Sequence, residues 1–190
     1  VAGHAVSVLY LTRGEAGIPG KTHGEAAAIR SAEAEAACRI LGARPFFFGQ
    51  IDGSTEINDH ALQAISERLA HEQPDLIFTH WPIDSHRDHQ VASLLATHGW
   101  MKSDRRAVVY YFEVCAGQQT MVFKPTDYVD ITAVQAQKRR AVFCHESQQP
   151  AQIYGEGAHD AMEDFRGREI GVKAGEAFIR LAGSGHTSIV

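Results

Sequence analysis

Between Trp81 and Gln90 the chain reads W-P-I-D-S-H-R-D-H-Q, which puts two histidines and two aspartates into the six residues from Asp84 to His89. Imidazoles and carboxylates bind divalent metals and move protons near neutral pH. Packed this densely they repel and desolvate poorly, and a plain turn would be built from Gly, Asn or Ser. His86 and His89 are three residues apart at the start of a helical stretch, so both rings can reach one pocket. A neutral imidazole nitrogen ligates zinc, and Asp84 or Asp88 can fix a tautomer by accepting the other ring N–H. The same residues could instead begin a helix, with Asp84 or Ser85 as N-cap, Asp88 in the first turn and both histidines solvated. Spacing alone leaves both readings open.

The surrounding pattern places this cluster. Ala5–Leu11 is an apolar run without polar alternation, as in a strand covered on both faces. Gly24–Leu41 has Ile29, Ala36, Ile40 and Leu41 at helical spacing, with Arg30, Glu33 and Arg39 turned away and Gly42 at the end. Pro45–Phe48 reads as strand, Asp59–His71 as helix, Asp75–Thr79 as a buried strand and His86–Trp100 as helix. Ala107–Val114 follows as strand, Ala133–Cys144 as helix behind a Thr132 cap, and Val172–Leu181 as a last helix before a Gly- and Ser-containing tail. This alternation implies an α/β fold: a doubly wound, mainly parallel sheet with helices on both faces, Rossmann-like, with ligands bound beyond the carboxyl ends of the strands. The segments Leu11–Glu15 and Gln50–Gly53 and the His-Asp cluster each follow a strand, so polar groups should gather at one rim.

Composition narrows the partners. With 190 residues and 44% hydrophobic content the chain can build one substantial domain over residues 1–190, and no linker divides it. A net charge of −5 with scattered Lys and Arg gives no nucleic-acid footprint. No apolar run reaches the roughly 20 residues of a membrane span, and no signal-peptide pattern opens the chain. Three separated cysteines, Cys38, Cys115 and Cys144, favour a reduced, cytoplasmic setting.

The segment D-S-H-R-D-H-Q resembles the metal-binding motif of the PIG-L/LmbE-like de-N-acetylases, zinc-dependent enzymes that remove the acetyl group of N-acetylglucosamine conjugates. Similar residues recur along most of the chain: Leu11-Thr12-Arg13-Gly14-Glu15, Arg30-x-x-Glu33, Ile51-Asp52-Gly53, Tyr111-x-Glu113, and Lys138 followed by His145-x-Ser147-Gln148. The resemblance implies that His89 ligates Zn2+ or another divalent ion, that His86 stabilises the oxyanion or acts as general acid, and that Asp88 holds the far nitrogen of His86. Arg13, Arg30, Asp52 and His145 would contact an N-acetyl amino sugar conjugate. The family's opening Ala-His-Pro-Asp-Asp, which supplies two further ligands and the general base, has no counterpart here. The expectation is therefore that a strand-helix unit belongs upstream of Val1, and that the Ala5–Leu11 strand lies inside the sheet and not at its edge, with one side either empty or filled by a strand outside these residues.

Simpler roles exist for each of these residues. Arg30 could be solvated or paired with Glu33, His145 could meet a helix dipole, Asp52 could make a turn, and Glu113 could be a strand-end charge. His23, His80, His98 and His159 carry no motif support, although His80 ends a strand close to the rim. A chain that truly starts at Val1 would read instead as a non-catalytic carbohydrate-binding module. No G-x-G-x-x-G or P-loop lysine supports nucleotide binding. The sequence does not fix the oligomeric state, a homo-oligomer included.

Overall fold

The computed structural model describes residues 3–114, 119–155 and 157–185. The chain divides into two compact units, each assembled from two separate stretches: Val1–Thr55 with Asp130–Gly175, and Glu56–Val129 with Glu176–Val190.

In the first unit, strand β1 (Ser7–Thr12) pairs in parallel with β2 (Arg44–Gln50), and helix α1 (His23–Leu41) connects them. Thr22 and Glu25 cap α1 reciprocally, satisfying two backbone N–H groups that the helix cannot bond itself. Gly42 ends it in the left-handed region that glycine enters without a steric penalty. Ala26, Ala34, Ala37 and Cys38 form the buried stripe of α1, small enough to let neighbouring elements come close. This unit also holds α4 (Gln135–Val142), a 3₁₀ turn (Glu146–Gln148), α5 (Pro150–Ile153) and α6 (His159–Ile170).

The second unit holds α2 (Asp59–Glu72) and α3 (Arg87–Lys102) with a sheet ordered β3 (Leu76–His80), β4 (Val108–Phe112), β6 (Gly175–Arg180), β5 (Asp127–Asp130). Strands β3 and β4 are parallel, whereas β4 and β6 are antiparallel. Its core joins Trp100, Ala107, Val109 and Tyr111, with Ile77, Trp81, Ile179 and Leu181 packed around them, and the Trp100 indole N–H donates to the Ala107 carbonyl. The expected α/β architecture with parallel crossover pairs is thus present, with one antiparallel strand added.

Four local expectations are corrected. The Val172–Leu181 segment is strand β6, because pairing with β4 outweighs the helix preference of Ala, Glu and Leu. Gly167 and Gly175 allow a close backbone approach there: a Cβ on Gly175 would lie 2.9 Å from Gly167 N. The helix instead precedes this strand as α6, whose buried face is Glu163, Arg166 and Gly167 and so carries no apolar period. Thr132 does not cap α4, which starts at Gln135; its hydroxyl accepts the Ala174 N–H at 3.2 Å. Strands β1 and β3 are not covered on both faces, since Leu9 and Phe78 are 38% and 52% exposed. Among the described residues β1 pairs only with β2. Residues 115–118, and Cys115 with them, lie outside the described residues.

Candidate metal and catalytic centre

Strand β3 ends at His80 and the chain reaches α3 through six residues, with His86 as N-cap in extended conformation. Asp84 organises this connection. It is 1% exposed; Oδ1 accepts the His86 backbone N–H at 2.7 Å and Oδ2 accepts the Thr120 hydroxyl at 3.2 Å. The Gln90 amide donates to the Asp84 carbonyl at 2.6 Å, and the Asp84–Thr120 bridge ties the loop to the following chain. The loop is therefore held by hydrogen bonds on both sides of its carboxylate.

The rings gather around His89. Its Nδ1 is 3.3 Å from Asp84 Oδ2 and 3.1 Å from the Gln119 amide nitrogen. His80 stacks on it with centroids 4.0 Å apart and His86 with centroids 4.6 Å apart. The His86 Nδ1 accepts the Asp88 backbone N–H at 3.2 Å, which leaves its proton on Nε2 in the neutral ring. It is thus the Asp88 backbone that meets the His86 ring in this bond. Asp88 itself is buried, and its charge favours protonated His89.

Electrostatics keep the inner rings neutral. Burial, and then repulsion from His89 and His86, push His80 down to about 3 against the pull of Asp84. Burial also lowers His89, opposed by its hydrogen bond to Asp84. Among the described residues His80 Nδ1 is buried without a hydrogen-bond partner, a costly state for a polar atom. Neutral imidazoles beside a carboxylate are the donor set of a borderline divalent ion such as zinc, so these residues fit one. They do not complete its shell: among the described residues no three metal-ligating side chains of this cluster bring their donor atoms within 4.8 Å of one another. His80, Thr120 and Gln119 were not singled out by motif. Only a histidine ending an apolar strand hinted at the first.

Arg13, Arg30, Asp52 and His145 lie in the first unit. The loop after β1 folds back on itself, with the Gly17 N–H donating to the Gly14 carbonyl. The Arg30 guanidinium occupies the space that side chains on Gly14 and Gly17 would fill, and Gly14 has a φ of 68°. Glu33, expected to face away, accepts the Ser147 N–H and hydroxyl, both at 2.7 Å. His145 is lowered by burial, with Glu33 opposing and Arg30 adding to the effect, so α1 and the 3₁₀ turn bring Arg30, Glu33, His145 and Ser147 together. Gln148 donates to the Gly17 carbonyl at 3.1 Å. Asp52 accepts the Ala16 N–H and donates its own N–H to Glu15, each at 3.2 Å, so it both makes the turn and fixes the loop. Arg13 is exposed, its guanidinium 5.5 Å from the Phe47 ring centre.

This architecture recurs in solved proteins. The N,N'-diacetylchitobiose deacetylase of Pyrococcus horikoshii is similar with a TM-score of 0.83 and 24% identity, covering 95% of this chain and 74% of that one. The conserved protein TT1542 of Thermus thermophilus is similar at 0.80 and 26% identity, covering 99% and 86%. GalB of Pseudomonas putida, a 4-carboxy-2-hydroxymuconate hydratase, is similar at 0.76 and 22% identity, covering 99% and 88%. The fold therefore hosts more than one reaction, and its likeness alone does not select among them. No curated protein matches the chain. The family model described as "PIG-L: GlcNAc-PI de-N-acetylase" matches residues 1–99, a span that takes in the β1 loop, Arg30, Asp52 and every residue from His80 to His89, and by that match the chain belongs to the PIG-L family.

Proposed function

We propose that the chain hydrolyses the acetamide of an N-acetylated amino sugar or its conjugate, with His89 as one ligand of a divalent metal, zinc being the first choice. The observation that carries the reading is His89 itself: a neutral, half-buried imidazole with one ring nitrogen against a buried carboxylate, in the motif of a de-N-acetylase family. When bound, such an ion polarises the acetyl carbonyl and lowers the pKa of its water from about 15.7 toward 7.

The chain's own groups have separate tasks in this proposal. With its Nδ1 engaged by the Asp88 N–H, His86 carries a proton on Nε2 to offer to the developing oxyanion or the departing amine. The Asp88 charge stabilises positive charge on His89. His80 stays neutral and adds no repulsion when charge develops. Arg13, Arg30, Asp52 and His145 are the proposed substrate contacts. A reducing, cytoplasmic setting also belongs to the proposal, supported by the free thiols Cys38 and Cys144. No helix among the described residues is long and apolar enough to cross a membrane.

The test is a pair of variants in the product of the complete gene. His89→Ala should lose bound metal and activity together. His86→Ala should keep the metal while turnover falls by about 100- to 1000-fold. Full metal retention in His89→Ala would reject it as a ligand, and metal loss in His86→Ala would make that residue one.

A further inference from the structure

His89 Nδ1 has two neighbours that make opposite demands. A carboxylate can only accept, so Asp84 Oδ2 at 3.3 Å calls for a proton on Nδ1. The Gln119 amide nitrogen at 3.1 Å calls for a lone pair there. Only one demand can be met, and the choice decides what Nε2 is: a lone pair or an N–H.

Asp84 has the stronger claim. It is almost wholly buried, where a hydrogen bond to an ionised acceptor is roughly twice as strong as a neutral one, and its other oxygen and backbone are already tied to His86 N, Thr120 and Gln90. It cannot turn away. A Gln amide can rotate to present its oxygen, since the two ends differ little in shape. We infer that Asp84 is a positioning residue that fixes His89 as the Nδ1–H tautomer and so reserves the Nε2 lone pair for an electrophile. This inference rests on the proposed metal role of His89 only for what that lone pair meets; the tautomer assignment stands apart from it.

The experiment uses the metal-free complete protein, labelled with ¹⁵N in its histidine rings, with His89 assigned by comparison with a His89→Gln sample. At neutral pH the His89 spectrum should show a protonated Nδ1 and an unprotonated Nε2. The reverse pattern in the unaltered protein would overturn the inference without needing any variant. In Asp84→Asn the amide oxygen can still accept the His86 N–H, so the loop keeps its anchor, while the amide NH2 turned toward His89 should move the proton to Nε2. An unchanged tautomer in a folded Asp84→Asn protein would equally overturn it. Titration of the same samples with Zn2+ should show affinity falling about 10- to 100-fold in Asp84→Asn. A switched tautomer with unchanged zinc affinity would support the positioning role and reject His89 as a ligand, which separates the two claims.

Discussion

At the scale of single residues, the arrangement depends on which side chain occupies which small space. Gly17 is the clearest case. It is not in the left-handed region, yet a methyl group there would collide with the Arg30 guanidinium and approach the Gly14 carbonyl at 3.2 Å. Gly17→Ala should displace Arg30 and raise KM several-fold with metal content unchanged, because a displaced guanidinium loses its fixed fork of donors. Steady-state kinetics with parallel metal analysis decides this; an unaltered KM would remove Arg30 from the substrate contacts. At this scale the sequence was only partly readable. The dense Asp84–His89 stretch announced itself through residue type. By contrast, two partners that help make it a site, Thr120 and Gln119, come from beyond β4, while His80 stands just upstream at the end of β3. Spacing along the chain carries no record of such contacts.

At the scale of elements, the first unit contains a buried polar clamp. Glu163 of α6, 1% exposed, binds Lys138 of α4 at 2.6 Å, the Tyr154 hydroxyl at 2.6 Å and the Gln135 amide at 2.9 Å. Burial alone would raise its carboxyl pKa, but the bonds from Lys138, Tyr154 and Gln135 together hold it below the usual value. Removing one member of a buried ion pair leaves the other uncompensated, so Glu163→Ala should cost about 3–5 kcal/mol of stability. Glu163→Gln, which still accepts from Tyr154, should cost less. Urea denaturation measures both, and a midpoint unchanged in Glu163→Ala would show that α4 and α6 are held by other contacts. The clamp also explains why α6 escaped recognition: a helix that buries Glu163, Arg166 and Gly167 has no apolar period to detect. The helix α1 could be read because its Ala-rich composition, its helical spacing and its terminal Gly42 agree, whereas its Thr22–Glu25 capping box is seen only in the structure. Strand β6 reads as helix for the opposite reason: its Ala, Glu and Leu favour helix, and only the paired strand β4 decides otherwise.

At the scale of the whole molecule, the buried neutral rings set the response to acid. His80, held down to about 3, and His89 and His145, lowered by burial, all take up protons more readily in the unfolded chain. An unfolded histidine titrates near 6.5, so below that pH unfolding draws protons and native stability falls, the loss from His80 continuing until about 3. The lowered Glu163 has the same sign: its contribution is complete above about 4.3 and disappears as pH falls through its depressed value. The metal-free protein should therefore lose stability steadily from about pH 6.5 to 5, by up to about 1.4 kcal/mol per pH unit for each extra proton bound on unfolding. Urea midpoints across this range test the sign, and a protein that became more stable toward pH 5 would contradict it.

Amide hydrolysis dependent on a divalent metal is tested by acetate release. The product of the complete gene, loaded with Zn2+, is incubated with N-acetylglucosamine conjugates, and acetate and free amine are quantified together. Equal amounts of both are expected, lost on chelation and recovered when Zn2+ is returned. Acetate release that persists undiminished in thoroughly metal-free protein, or its absence from every N-acetylated amino sugar offered to the metal-loaded protein, would contradict it.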